Sequence, residues 1–513
     1  MNKHELQEQY GSAKEVYTQL ETYRSSLEDT WKECSELTLP YVFPDDSMSE
    51  SMAIYTPYNS IGPSSVNNLA SKLLLALLPP TGNFFRLMPN EKDLFGLSKE
   101  ELDKLDKELS KLEQDINAMI NIQALRVPLF EALKLLIITG NTLLYKIPGK
   151  GLKVFNPYQF VVERDYSGSV TRMAIAEKIS KKTLPQDVID LVEANLATDK
   201  KSDKKDVSIH TLVLLEEPNK YKVFQEVDGV LIPNTIKSYD RDNLPYLPLR
   251  WTSIVNEDYG RGLVEQYLGD LRSLEGLTKM IVEGGGIMAK TIFGLKPASS
   301  TKIEDLHNAE NGDFILGDLE KDITTLQVNK SADLRVPFEL MQALEQRLAK
   351  AFLVFSSQVR QSERTTASEV RMVANELEAT LGGVFSVLAQ DLQLPLLKLL
   401  LNEIEPKALK VTTPAISTGI NAISREKDFQ NLNTLLQSLG QLGPETVAKY
   451  LDVTKYISKV ASALGMNPED IVKSPEQMQM EQDQMMAMQQ QQMQMEQQNQ
   501  MAQIQAKQQG AAQ

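Results

Sequence analysis

A chain of 513 residues can bury a large core and hold several structural units. Its single cysteine, Cys34, excludes an intramolecular disulfide framework and a Cys-built zinc site, and it fits assembly in a reducing cytoplasm. Lys and Arg number 54 against 69 Asp and Glu, and the formal charge of −15 excludes a protein that grips nucleic acid over its whole surface, so any DNA contact is local.

The first residues, Met1 to Glu15, are polar and charged, unlike a secretory signal. The longest apolar runs, Leu73 to Leu78 and Leu135 to Ile138 with their neighbours, fall short of the roughly 20 residues that cross a bilayer, so a soluble chain is expected. From His4 to Leu27, Leu6, Tyr10, Ala13, Tyr17, Leu20, Tyr23 or Arg24, and Leu27 recur at steps of three or four and predict a helix, ended by Pro40 and Pro44. Ser98 and Glu101 have capping-box spacing and open a second helix through Leu102, Leu105, Leu109, Leu112, Ile116 and Met119. Arg126-Val127-Pro128 breaks it, and Leu129 to Leu144 reads as a buried apolar helix.

From Gly151 the pattern changes to strands: Val154 to Val162, Val170 to Ala176, Val207 to Leu215 and Tyr221 to Val227, with turn chemistry at Ser167-Gly168 and Asp228-Gly229. A short helix, Pro185 to Leu196, and a mixed-charge connection, Asp199 to Asp206, interrupt them. A charged helix follows from Leu263 to about Glu283, its end loosened by Gly284-Gly285-Gly286. Brief strands at Thr291 to Leu295, Phe314 to Leu316 and Ile323 to Val328 predict a compact island. Leu340, Leu344, Leu348, Phe352 and Phe355 then stripe another helix. Beyond the polar loop Ser356 to Thr366, a long helix runs from about Ala367 through Leu388, with Gly382-Gly383 as a weak point and Pro395 as a kink. A last helical bundle reaches about Val472, and residues 474–513 hold 17 Gln and 8 of the 19 Met.

Catalytic chemistry finds little support. No G-x-x-x-x-G-K-[ST] phosphate loop occurs, and Gly284-Gly285-Gly286 and Gly260-Arg261-Gly262 read as backbone features. Ser202 and Lys205 have S-x-x-K spacing, but inside a charge run. His4, His210 and His307 are too scattered in sequence for a metal centre. No catalytic residue, metal or cofactor is assigned.

Several segments resemble one family in chain order: Asn67–Leu73 (NNLASKL), Arg126–Lys134 (RVPLFEALK), Glu265–Glu275 (EQYLGDLRSLE), Glu376–Val384 (ELEATLGGV) and Ile416–Gly419 (ISTG). They are similar to the portal proteins, or head-to-tail connectors, of short-tailed, autographivirus-type bacteriophages. The resemblance implies an α+β, mainly α-helical portal fold that assembles as a dodecameric ring at one capsid vertex, the channel for packaging and ejecting double-stranded DNA. It implies a wing over 1–262, with a β-rich subdomain at about 151–255, a first stem helix at 263–289, and a clip at 290–330. A second stem helix at 331–355, a tunnel loop at 356–366, a long wing helix at 367–415, a crown at 416–473 and a Met/Gln-rich tail complete the order.

On that reading Gln358, Arg360 and Arg364 line the channel, and Ser299, Lys302 and Asp305 dock partners. Leu340, Leu344, Leu348 and Phe352 pack subunits together. Implied partners are the terminase large subunit, tail adaptor and tube proteins, capsid, scaffold and internal core proteins, and DNA, with no membrane. The site of action is the virion, after assembly in the host cytoplasm. Geometry agrees: twelve helices of ~10 Å diameter set side by side enclose a lumen of about 28 Å, wider than a duplex of about 20 Å. The competing reading is a cytoplasmic helical scaffold or adaptor with no DNA role. In the tail, Met478, Met485, Met488 and Met495 occupy heptad-like positions, but Gln492 and Asn499 interrupt the seam, and disorder is expected.

Overall fold

The computed structural model describes residues 11–43, 54–80, 84–89, 99–195, 206–288, 292–297, 302–310, 314, 316, 323–326, 334–354, 367–406 and 412–416, with isolated positions between 434 and 460. The chain divides into two units, Met1–Gly419 and Ile420–Gln513. All the elements named below belong to the first. The expected crown beyond 416 and the Met/Gln tail lie almost wholly outside the described residues.

The architecture is α+β. Helix α1 (Ala13–Glu36) serves three separate clusters of buried side chains along its length. Val16, Tyr17 and Leu20 cover the sheet described below, Trp31 enters an aromatic cluster with Phe43 and Tyr259, and Cys34 reaches the main core. Arg24 is 2% exposed. It donates to the carbonyls of Pro157 (2.8 Å), Tyr158 (3.0 Å) and Phe160 (3.0 Å) and pairs with Glu28 at 2.8 Å, so its buried charge is fully partnered.

Helix α2 (Ile61–Leu77) is an element that the sequence reading did not contain. Strand β1 (Phe85–Pro89) follows, then α3 (Lys99–Ile122), as expected from the leucine spacing. The break before Pro128 is real: Ala124 adopts φ 49°, the Leu125 amide donates to Ile120 O (3.1 Å) and the Ala124 amide to Asn121 O (3.1 Å). That pattern closes a helix end around a left-handed residue, usually glycine.

The expected apolar helix to Leu144 is shorter. Helix α4 (Arg126–Thr139) stops at Gly140, φ 79°, and Asn141–Lys146 is strand β2. The backbone explains why: a Cβ on Gly140 would lie 2.5 Å from Gly262 N, and one on Gly262 would lie 2.6 Å from Ile138 O. Asn141 completes the junction, accepting from Gly260 N (2.7 Å) and donating to Gly260 O (2.8 Å). Gly260-Arg261-Gly262 is thus a close backbone contact.

Strands β3 (Leu152–Phe155), β4 (Phe160–Arg164) and β5 (Val170–Ser180), helix α5 (Gln186–Asn195), and strands β6 (Asp206–Glu217), β7 (Lys220–Val227), β8 (Val230–Leu231), β9 (Lys237–Asp240) and β10 (Tyr246–Arg250) build the β-rich part. Strands β4-β5-β6-β7-β8 form one antiparallel sheet with β9 also on β7, and β10-β2-β3 form a second. The expected strand Val154 to Val162 is therefore two, separated at Pro157, which cannot donate to a ladder. After the short pair β11 (Thr252–Ser253) and β12 (Gly260–Arg261), the one-turn helix α6 (Leu263–Gln266) leads into α7 (Leu268–Met288). Helix α7 runs through Gly284-Gly285-Gly286, so the expected loosening there is corrected. Propensity is overridden where the neighbouring chain packs: Gly284 faces Leu334.

Strand β13 (Ile292–Leu295), helix α8 (Ile303–Asn308), strand β14 (Ile323–Leu326) and helix α9 (Arg335–Ala351) follow. The long helix is broken as the glycines and proline predict. Helix α10 (Ala367–Leu381) ends at Gly382 (φ 54°), and α11 (Gly383–Leu388) passes through a π turn at Ala389–Gln393 into α12 (Leu394–Ile404). Pro395 has no N–H for a regular turn, and the wider turn before it absorbs the missing bond. The stretch Gly383–Ile404 is long and apolar enough to cross a membrane by length and composition, which corrects the expectation that no such run exists. Its Phe385, Leu388, Leu392, Leu396, Leu397 and Leu400 nevertheless lie in the main core. Strand β15 (Thr412–Ile416) pairs antiparallel with β1.

Exposed Ala124 supplies a clean test. Gly at this left-handed position removes a strain of about 1–2 kcal/mol but raises the entropy of the unfolded chain. Ala124→Gly should therefore stabilise the protein by roughly 0.5–1 kcal/mol in urea unfolding. A loss of stability would show that the left-handed turn is not the strained feature.

Candidate functional site

The candidate site is the excursion that leaves the body on α7 and returns on α9. Its root is apolar. Leu268, Leu271 and Leu274 of α7 and Leu344, Leu348 and Phe352 at α9 belong to the main core, with the Tyr267 and Phe352 rings 5.6 Å apart. Asp270 pairs with Arg347 at 3.1 Å near the root, and Gly284 meets Leu334 further out, so the helices run antiparallel. Arg272 forms an ion pair with Glu33 of α1.

The residues 54–60 brace this root. The Glu275 carboxylate accepts from the Tyr55 hydroxyl (2.7 Å), the Tyr58 amide (2.8 Å) and the Asn59 amide (3.2 Å). Tyr55 is pushed up to about 12, first by that hydrogen bond. Asn59 Nδ2 donates to Glu345 at 2.9 Å and its Oδ1 accepts from the Ile61 amide at 2.7 Å, so one side chain joins α9 to the start of α2. None of these bracing residues stood out in the sequence. The signal was an Asx-turn residue just before an apolar run.

The expected subunit-packing stripe is divided. Leu344, Leu348 and Phe352 are buried within their own chain, whereas Leu340 is 52% exposed. For the three buried residues the intrachain core replaces the expected role in subunit packing. Periodicity reports a buried face but not whose core buries it. Beyond the root, Met280, Val282 and Ile287 on α7 and Val336, Phe338 and Leu340 on α9 are all exposed.

At the far end β13 pairs antiparallel with β14, as expected for an island. Phe314 and Leu316 lie in no strand and are fully or almost fully exposed, which corrects the third expected strand. Lys302 stands exposed at the N-cap of α8, Asp305 lies within α8, and Ser299 is outside the described residues.

At the near end α9 closes around a left-handed non-glycine residue. Leu353 has φ 58°, the Val354 amide donates to Ala349 O (2.7 Å), and the Leu353 amide to Lys350 O (3.2 Å). From α2, Asn68 Nδ2 donates to Leu353 O (2.8 Å) and Phe352 O (3.2 Å), and Lys72 Nζ donates to Leu353 O (2.9 Å). Lys72 also pairs with Glu376 of α10 at 3.2 Å. Gln358, Arg360 and Arg364 fall outside the described residues, between these two helices.

Among the described residues no group of three or more His, Cys, Asp or Glu side chains is placed to hold a metal ion. The Cys34 thiol is buried and pushed up to about 12, chiefly by desolvation and then by Glu265, which makes it a poor nucleophile.

The model of the bacteriophage head to tail connecting protein family matches residues 11–472. The chain belongs to this family. It is 37% identical to the portal protein of Escherichia phage T7 over 92% of this chain and 90% of that one. It is also 38% identical to the portal protein of Enterobacteria phage T3, over 91% and 89% of the two chains. A third portal protein, from Enterobacteria phage SP6, is 29% identical over 90% of each. As a head-to-tail connector the chain is a structural protein of a phage particle, and the match spans every element described above. A chain from the neck of a gene transfer agent particle shares 13% identity at a TM-score of 0.34, covering 80% of this chain and 91% of that one.

Proposed function

We propose that this connector is a portal: twelve copies form a ring at one capsid vertex, and DNA passes through the central channel during packaging and ejection. One observation carries the reading. The α7–α9 excursion keeps large apolar side chains exposed on more than one side of its helices, Met280, Val282, Ile287, Val336, Phe338 and Leu340, uncovered among the described residues. A head-to-tail ring covers such side chains on both flanks, with the excursions of the preceding and following copies. Here α7 and α9 serve as stem, 290–330 as clip, 356–366 as tunnel loop and 416–473 as crown. The helices before Gly262 and after Ala367 serve as wing. Membership of the head to tail connecting family favours the portal over a helical scaffold without a DNA role.

Packaging energy comes from the terminase, and the connector contributes no hydrolysis of its own. Electron microscopy and native mass measurement of the purified protein should give closed rings of twelve copies with a central hole. A stable monomer or dimer at micromolar concentration would sink the proposal.

Within the ring, Arg360 and Arg364 reach phosphates of the passing duplex, the local basic contact in an otherwise acidic chain. Twelve copies supply weak, salt-screened contacts whose sum is strongly salt-dependent. Rings carrying Arg360→Ala and Arg364→Ala should assemble normally yet fail to retain packaged DNA. Wild-type numbers of DNA-filled, infectious particles from those rings would remove the two arginines from the channel.

The clip receives the terminase during packaging and tail proteins afterwards. A two-stranded ladder, with Ile303, Phe314 and Leu316 exposed in the stretch of chain that joins its strands, offers the edges and apolar side chains that exchange of partners requires. Deletion of Ser299 to Asp305 is expected to weaken tail attachment in a pull-down while rings still form, and undiminished attachment would count against this surface.

A further inference from the structure

Helix α2 packs against two helices, α9 and α10, that residues 355–366 separate in the sequence. Its Leu69 and Leu73 share the main core with Leu348 and Phe352 at the end of α9 and with Val373 and Leu377 of α10. Among these leucines sits Lys72, 2% exposed. An apolar side chain would fill this space without the desolvation that an ammonium brings, so packing alone does not account for a lysine here. What the ammonium adds is a bond in each direction: to the Leu353 carbonyl at 2.9 Å, and to the Glu376 carboxylate at 3.2 Å.

The first of those bonds lands on a strained residue. Leu353 holds a left-handed conformation, φ 58°, which a leucine adopts reluctantly and which turns the chain out of α9. Its carbonyl receives both Asn68 Nδ2 (2.8 Å) and Lys72 Nζ (2.9 Å), so α2 fixes the direction in which the chain departs. The second bond fixes Glu376, on the helix through which the chain comes back. Charge and geometry therefore meet on one atom, Lys72 Nζ.

We propose that Lys72 is a positioning residue that ties two roots flanking the 355–366 segment, the end of α9 and the second half of α10, to each other through α2, with Asn68 as an auxiliary clamp on the first root only. The role rests on the assignment of that segment to the DNA channel. Lys72 touches no DNA. It sets the direction in which the chain leaves α9 and the separation of that point from the body of α10. A clamp of this kind resists force: DNA pulled through the channel drags on the segment, and both roots yield together or not at all.

Hydrogen exchange on assembled, DNA-free rings tests the clamp directly. In Lys72→Met, amides of residues 348–354 and of 373–381 should both exchange about tenfold faster, while the β6–β7 amides keep wild-type rates. Asn68→Ala should speed only the first set. Glu376→Gln, which keeps size and leaves the ammonium bonded to Leu353, provides a milder variant should Lys72→Met fail to assemble, and should speed the second set. Unchanged exchange at both roots, or an equal rise that includes β6 and β7, would overturn the proposal and leave Lys72 a general core residue. DNA retention by the same rings separates the clamp from the reading beneath it. Faster exchange with lost retention supports both, and faster exchange with normal retention keeps the clamp while removing the channel assignment.

Discussion

The excursion between Leu268 and Leu353 depends on one apolar seam. Leu271 and Leu274 of α7 and Leu344, Leu348 and Phe352 at α9 are buried in the same core that holds α2, α4 and the broken helix α10–α12. Each such side chain contributes roughly 1.5–3 kcal/mol, as an upper figure for area removed from water. The ion pairs around the seam, Asp270 with Arg347 and Arg272 with Glu33, are exposed on at least one side and set direction more than strength. Position therefore comes from burial, and orientation from the polar braces at Asn59 and Glu275. A ring component needs this division, because its projecting parts must be held firmly at the root while their tips stay free for partners.

The glycine junction under the seam works by a different constraint. Gly140 and Gly262 let two backbones meet at distances that no side chain permits, and Asn141 supplies the hydrogen bonds that a strand partner would otherwise give. The start of α6 is consequently fixed against the end of α4 by main-chain atoms, the least adjustable part of the chain. Rotation of α7 about its own root is hindered before any side chain is considered.

Much of this architecture was legible in the sequence, and the failures have physical causes. Helix α3 follows from its leucine spacing, and strands β5, β6 and β7 from runs rich in β-branched and aromatic residues, which suit strands covered on both faces. Helix α4 was read five residues too long because Ile137, Ile138, Leu143 and Leu144 look alike in a buried helix and a buried strand; Gly140 was the signal for the stop. Helix α2 was missed because Gly62 and Pro63 resemble a loop, although proline is tolerated in a first helical turn. The leucine stripe of α9 was correctly placed, but a stripe does not name its partner. Lys72 and Asn68 stood inside a segment that carried the family resemblance and still revealed no role, since a lysine in a leucine run ordinarily points to solvent. The Leu353 carbonyl and the Glu376 carboxylate, both far along the chain, make sense of it.

The pairing of β1 with β15 bears on the order of events during synthesis. Phe85 lies opposite Ile416, so roughly 330 residues of chain must be made before this two-stranded ladder can close. At about 5–20 residues per second a ribosome takes some tens of seconds to bridge that interval. Throughout it the 85–89 strand lacks its ladder partner, although the Leu87 amide can already donate to the Glu113 carboxylate of α3 (2.9 Å). A prematurely terminated chain that ends before Thr412 keeps that strand without its ladder partner permanently, and it differs from a finished subunit just beyond the end of α12. Closure of the ladder thus marks translation past β15, with residues 417–513 still to follow, and it restricts the pool of subunits with a closed ladder to those translated that far.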